Sequence, residues 1–195
     1  MEKTLQGNWL MRGPTTQITL ARGMGWGLVG GLAGTMVMDL VLMGALLVVG
    51  LPAFTCFSIV GDTVAGFFSV LGMNIPGGSP TGAATHYIIG PLLGALFGAA
   101  MARHAAFRVD TLKKYVIRAV LFIEIMSQPL LLTTPILLKM TAPDTLKWYG
   151  GSFVMHLIAG VVLGAVVGCG MRLQTAAGHQ SFINQKFHPH KRILL

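Results

Sequence analysis

Four apolar segments, each close to or above the length of a membrane-spanning helix, dominate this sequence. They cover residues 24–50, 83–102, 115–138 and 150–171. A helix needs about 20 mainly apolar residues to cross the hydrocarbon core of a bilayer. Only 10% of the 195 residues are charged, whereas soluble domains carry about 25%. The sequence therefore predicts an all-α integral membrane protein with a four-helix bundle over residues 24–171.

The distribution of lysine and arginine predicts the orientation of these spans. Basic clusters lie in the N-terminal segment 1–23, in the loop after the second span and in the C-terminal tail 172–195, whereas residues 51–82 contain no Lys or Arg. Four spans place all three clusters on one side, and cytoplasmic loops are the ones enriched in Lys and Arg. We therefore expect both termini in the cytoplasm. Residues 53–73, in the outer segment 51–82, are expected to be re-entrant or interfacial, because a fifth span would move the basic loop outside.

The second and fourth spans share a pattern of one histidine followed by glycines at steps of four. The residues are His86, Gly90, Gly94 and Gly98 in the second span and His156, Gly160, Gly164 and Gly168 in the fourth, and the first span adds Gly27, Gly31 and Gly34. Steps of four stay on one helix face, and small residues let helices approach closely. Each His/Gly span follows a span with one acid, Asp39 or Glu124. The sequence predicts two parallel helix-pair repeats, whose glycine seams would bring the histidines together if they faced each other.

Four ionisable side chains are predicted in or near the hydrocarbon: Asp39, His86, Glu124 and His156. Counted from the predicted span ends, the two acids lie deeper than the two histidines. Such groups are costly in a membrane and often mark functional sites. Three interpretations remain open. The set is structural, with hydrogen bonds between helices; or His86 and His156 bind a metal or haem, since imidazole ligates Fe, Cu and Zn; or Asp39 and Glu124 relay protons or a cation.

Small motifs in all four spans carry a family resemblance. They are Gly31, Gly34 and Thr35 in the first span, His86 and Gly90 in the second, Pro129 and Pro135 in the third, and His156, Gly160 and Gly164 in the fourth. In these residues the chain resembles small four-span bacterial inner-membrane proteins of the YagU-like and related families of unknown function. The resemblance implies a four-helix fold and a location in a bacterial inner membrane. It implies no reaction and no cofactor.

The sequence favours a protein without catalytic activity. It contains no hydrolase, nucleotide-binding or paired-cysteine motif, and its loops are too short for a catalytic domain. We therefore expect a non-catalytic accessory or assembly subunit of a larger bacterial inner-membrane complex. Its expected partners are membrane lipids and other membrane subunits, and not nucleic acid, because the net charge of +8 is typical of positive-inside loops. The alternatives are a small transporter or channel for a proton, cation or small solute, and haem or metal binding.

Overall fold

The computed structural model describes residues 19–103 and 111–187, and it describes side chains as far as residue 173. These residues form five helices, α1 (Leu20–Val48), α2 (Thr55–Val70), α3 (Gly78–Arg103), α4 (Leu112–Leu137) and α5 (Ala142–Phe187). Four of them, α1, α3, α4 and the Ala142–Leu173 part of α5, are long and apolar enough to cross a membrane. The predicted all-α class with four candidate spans is confirmed. The basic residues predicted to face the cytoplasm at 1–18, 104–110 and 188–195 lie outside the described residues.

All four spanning helices begin earlier than their apolar segments, α4 by three residues, at Leu112. α1 begins at Leu20 because the Thr19 hydroxyl accepts a hydrogen bond from the Arg22 backbone amide. α3 begins at Gly78 and α5 at Ala142, both ahead of the predicted starts, and α5 continues to Phe187, so most of the predicted tail is helical. Hydropathy marks only the stretch that suits hydrocarbon, whereas helical hydrogen bonding continues into polar residues at both ends.

α2 is a short apolar helix that packs beside the start of α3 and the end of α4. Its 16 residues are too few for it to count among the candidate spans. Gly61 of α2 packs against the backbone of Gly78 and Gly82 at the start of α3. Further along α2, the Thr63 hydroxyl donates a 3.2 Å hydrogen bond to the hydroxyl of Thr134 near the end of α4. α2 therefore bridges α3 and α4. It does so at the end of the bundle where α1 and α4 end and where α3 and α5 begin. We call this end the α2 end of the bundle.

α1 lies between α3 and α5 and presents a different set of glycines to each. Gly27 faces Gly94 of α3, and Gly34 faces Ala159 of α5. A Cβ atom at Gly27 or Gly94 would overlap the backbone of the other helix, so the two backbones are in direct contact. The same α1–α3 interface contains Gly23, Gly31, Gly90 and Gly98.

α4 and α5 form the second pair, and its glycines pack in the same way. Gly160 lies on Val120 and Gly164 on Val116, while Gly168 lies against the first turn of α4. Each seam thus faces the first helix of its own pair, which is consistent with two helix-pair repeats. The two seams do not face each other, so the condition under which they would bring the histidines together is not met. Glycine allows the closest approach of two helices. The helix that approaches the seam is the preceding antiparallel span, which is α1 for the α3 seam and α4 for the α5 seam.

The hydrophobic core fills the half of the bundle away from α2. Its buried residues come from α3, α4 and α5 and are Phe97, Met101, Ala102, Tyr115, Ala119, Ile123, Leu163, Val167 and Met171. Large apolar side chains on the outward faces, such as Leu40 and Ile125, stay exposed. Helices that are apolar on all faces are typical of membrane spans.

Candidate functional site

A cavity of about 1090 Å³ occupies the half of the bundle next to α2. All five helices contribute to its lining. The α3 and α4 backbones come close to each other at few points, whereas α1 packs closely on both α3 and α5. The lining is mainly apolar and includes Ile59, Leu93, Leu130 and Met155. The break in the symmetry of the two repeats therefore leaves an apolar space inside the bundle.

The polar side chains of the lining fall into two groups. Lys139, Asp144, Lys147 and Trp148 line the cavity at the α2 end. The Lys147 ammonium lies 3.4 Å from the Asp144 carboxylate, and both side chains are largely exposed. The Trp148 indole donates a 3.3 Å hydrogen bond to the Leu131 carbonyl. The second group lies deeper and consists of His86 with Thr85 on α3, Ser127 on α4, and Ser152 with His156 on α5.

Asp39 and His86 form a buried pair between α1 and α3. The His86 Nδ1 lies 2.9 Å from the Asp39 Oδ1, and the Asp39 residue is 2% exposed. An ionised carboxylate only accepts hydrogen bonds, so Nδ1 donates to it and Nε2 is left for a partner in the cavity. The second carboxylate oxygen, Oδ2, is buried without a hydrogen-bond partner among the described residues. Asp39 therefore fixes the tautomer of a histidine that lines the cavity.

This pair corrects the depths inferred from the sequence, which placed Asp39 well below His86. Asp39 lies nine residues before the end of α1, and His86 lies eight residues after the start of α3. At about 1.5 Å per residue, both therefore lie about 12–14 Å from the α2 end of their helices. The error came from the helix ends, because α3 begins at Gly78 and not at residue 83.

α2 holds the other side of the His86 ring. The Phe57 ring meets the imidazole edge to face, with ring centroids 5.2 Å apart and an interplanar angle of 68°. Phe57 is 5% exposed and its backbone carbonyl packs against Gly82 of α3. The Ser58 hydroxyl is also hydrogen-bonded to that of Ser79 at 2.6 Å. The short helix therefore fixes the position of the cavity histidine and does more than cover the bundle end.

His156 lines the same cavity from α5. Its Nδ1 is buried without a hydrogen-bond partner among the described residues. Gly34 of α1 packs on Ala159, three residues after His156. Since α1 and α5 are antiparallel, His156 lies within about 3 Å of the height of Asp39 along the bundle. The structure therefore brings His86 and His156 to one cavity at a similar height.

Glu124 lies on α4 outside the cavity lining. Its carboxylate Oε1 is buried and has no hydrogen-bond partner among the described residues, while its backbone carbonyl accepts bonds from Ser127 and Gln128. Val116 lies under Gly164 and Val120 under Gly160. Because the two helices are antiparallel, four residues forward on α4 match four residues back on α5. Glu124, four residues after Val120, therefore lies at the height of His156, four residues before Gly160. Of the four predicted polar residues, Asp39 and His86 thus form a hydrogen-bonded pair. Glu124 and His156 lie on adjacent helices without a hydrogen bond between their side chains.

The described part of the chain contains no group of three or more His, Cys, Asp or Glu side chains placed to hold a metal ion. Two imidazoles facing one cavity are fewer ligands than a structural zinc site uses, but two histidines are enough in number to hold a haem.

The sequence did not predict the cavity, the role of Phe57 or the contribution of Trp148 to the lining. The glycines of α2, Gly61 and Gly66, were the available signal that this helix packs on the bundle.

No family model, no curated protein and no solved structure matches this chain.

Proposed function

We propose that this protein is a non-catalytic accessory subunit of a bacterial inner-membrane complex and that it holds a lipid-soluble small molecule in its cavity. The supporting observation is the apolar cavity of about 1090 Å³ between α3 and α4, which is the size of a small-molecule site. A few hydrogen-bonding side chains, His86 and His156 among them, lie inside it. An apolar lining with few polar groups is typical of sites for ligands with a hydrophobic body and a small polar part.

The location in a bacterial inner membrane and the cytoplasmic termini belong to the same proposal. They are supported by the basic clusters of the sequence and by the resemblance to YagU-like proteins. A transporter or channel has less support, because among the described residues the core around Leu163, Val167 and Met171 fills the half of the bundle opposite the cavity. A binding subunit needs only one opening to its cavity.

The direct test is to purify the protein from its native membrane in mild detergent. We expect other membrane subunits to co-purify, and we expect an organic extract of the protein to contain one lipid-soluble compound at a fixed ratio to the chain. A protein that runs alone and yields only bulk phospholipid would contradict the proposal.

Filling the cavity is expected to reduce the amount of retained ligand. Leu93→Trp adds volume at a partly buried residue that lines the cavity, so the compound recovered per chain should fall at least fivefold in quantitative mass spectrometry. The matched control is Leu92→Trp, since Leu92 is the neighbouring leucine, is 52% exposed and does not line the cavity. Equal loss of ligand in both variants would show that the compound binds on the outer surface.

The proposed topology has its own test in the loop between α2 and α3. With Cys56 and Cys169 replaced by serine, Asn74→Cys provides one thiol at an exposed residue of this loop. We expect a membrane-impermeant maleimide added to spheroplasts to label it without lysis. Labelling that requires a permeabilised membrane would reverse the proposed orientation.

Haem is a second candidate for the ligand, because His86 and His156 line one cavity at a similar height. Asp39 accepts from His86 Nδ1, and carboxylates commonly orient metal-bound imidazoles in this way. A bound haem would supply redox chemistry, and His86 and His156 are the residues that would hold it. An absorption spectrum and a metal analysis of the purified protein decide between haem and a metal-free compound.

A further inference from the structure

We propose that the cavity binds a lipid-soluble hydroquinone, with one hydroxyl group donating to His86, the other donating to His156, and the alkyl tail in the apolar part of the cavity. This inference rests on the proposed function, that the cavity holds a lipid-soluble molecule, and it names the chemical class. Three features of the site support it: the hydrogen-bonding state of His86, the register of Glu124 with His156, and the shape of the apolar lining.

His86 is arranged to accept a hydrogen bond from a ligand. Its Nδ1 is occupied by Asp39 at 2.9 Å, and the ring lines the cavity. With Asp39 ionised and the ring neutral, Nδ1–H donates to the carboxylate and Nε2 is an acceptor. Phe57 packs on the ring and limits its rotation. A ligand hydroxyl group satisfies this nitrogen, whereas a ligand carbonyl does not.

The second repeat contains the parts of an equivalent pair. In the first repeat, Asp39 Oδ1 is hydrogen-bonded to His86 Nδ1. The corresponding atoms of the second repeat are Glu124 Oε1 and His156 Nδ1. Both are buried and have no hydrogen-bond partner among the described residues. The antiparallel register puts Glu124 and His156 at the same height on adjacent helices. Glutamate has one methylene more than aspartate, so it has the reach to close the pair by a side-chain rotation. Closing it leaves His156 Nε2 as a second acceptor.

The two acceptors come from different helices, α3 and α5, at a similar height of one cavity. A ligand that satisfies both carries two hydroxyl groups at opposite ends of a flat hydrophobic ring. The mainly apolar lining leaves room for an alkyl chain. A hydroquinone with an alkyl tail has all of these properties.

The test uses three ligands that differ only in their hydroxyl groups: decylhydroquinone kept reduced, its monomethyl ether and its dimethyl ether. Each is titrated into the wild-type protein in mild detergent, and Trp148 emission reports binding because this indole lines the cavity. Each methyl group removes one donor, and we expect the affinity to fall about fivefold at each step. Trp148→Phe should remove the signal, because Trp26, the other tryptophan among the described residues, does not line the cavity.

Two variants locate the second hydroxyl group. His156→Leu should weaken hydroquinone binding about fivefold and remove the difference between the hydroquinone and its monomethyl ether. Phe153→Leu is the matched control, because Phe153 lies one turn earlier on α5, is 53% exposed and does not line the cavity. This variant should keep the wild-type order of affinities.

The outcomes separate this inference from the proposed function. Equal affinity for all three ligands, or a haem spectrum in the purified protein, would overturn the hydroquinone assignment. Failure of all three to bind while another lipid-soluble compound co-purifies would overturn it and leave the proposed function standing. Failure of all three together with an empty extract would overturn both.

Discussion

Gly94→Leu is expected to prevent α1 and α3 from packing and to destabilise the protein strongly. A Cβ atom at Gly94 would overlap the carbonyl oxygen of Gly27 and would lie 2.7 Å from the Gly31 Cα. Overpacking in a core costs about 1–3 kcal/mol when side chains can move aside. Here the neighbouring atoms are backbone, so the two helices must separate, and we expect a loss at or above the upper end of that range.

The measurement is thermal unfolding in mild detergent, followed by light scattering and gel filtration. Gly44→Leu is the matched control, because Gly44 lies on α1, the partner of α3, and no atom beyond its own stretch of helix backbone lies within 4 Å of a Cβ built there. Both substitutions replace a helical glycine with a good helix former, so the difference between them isolates packing. Similar melting of the two variants would show that the α1–α3 contact is not required for stability.

The sequence was sufficient for the spans and for their packing residues, because both depend on local periodicity. A run of apolar residues fixes a membrane helix, and steps of four fix which residues share one face. Gly90, Gly94 and Gly98 accordingly lie in a helix interface. The helix that packs against these glycines was not predictable in the same way. GxxxG spacing shows that a helix face carries small residues, but it does not show which helix packs on that face.

The polar site depends on helix register, which the sequence determines less well. The start of α3 was placed five residues late, an error of about 7.5 Å along the helix. That error separated Asp39 from His86, although their side chains are hydrogen-bonded. The cavity was not predictable for a related reason. α1 packs closely on α5, whereas the α3 and α4 backbones come close at few points. The matched His/Gly pattern of the two repeats gives no sign of this difference.

His86→Leu and His156→Leu are expected to have very different effects on stability, although the two histidines occupy equivalent positions in the repeat. His86 bonds an aspartate that is 2% exposed, whereas His156 Nδ1 has no hydrogen-bond partner among the described residues. Removing one member of a buried pair leaves the other without compensation and costs about 3–5 kcal/mol. His156→Leu breaks no such pair in the ligand-free protein, so we expect a change of less than about 1 kcal/mol.

A double-mutant cycle separates the loss of the pair from the loss of packing around the ring. Asp39→Leu combined with His86→Leu removes both polar groups, and we expect the double variant to be more stable than His86→Leu alone, because no unpaired carboxylate remains. Unfolding in mild detergent, measured at one pH for all variants, gives the coupling free energy. If His86→Leu and His156→Leu destabilise the protein equally, or if the two losses at Asp39 and His86 simply add, the bond between α1 and α3 does not stabilise the bundle. The pair would then be important for ligand recognition and not for folding, because Asp39 would act only by keeping the proton on His86 Nδ1.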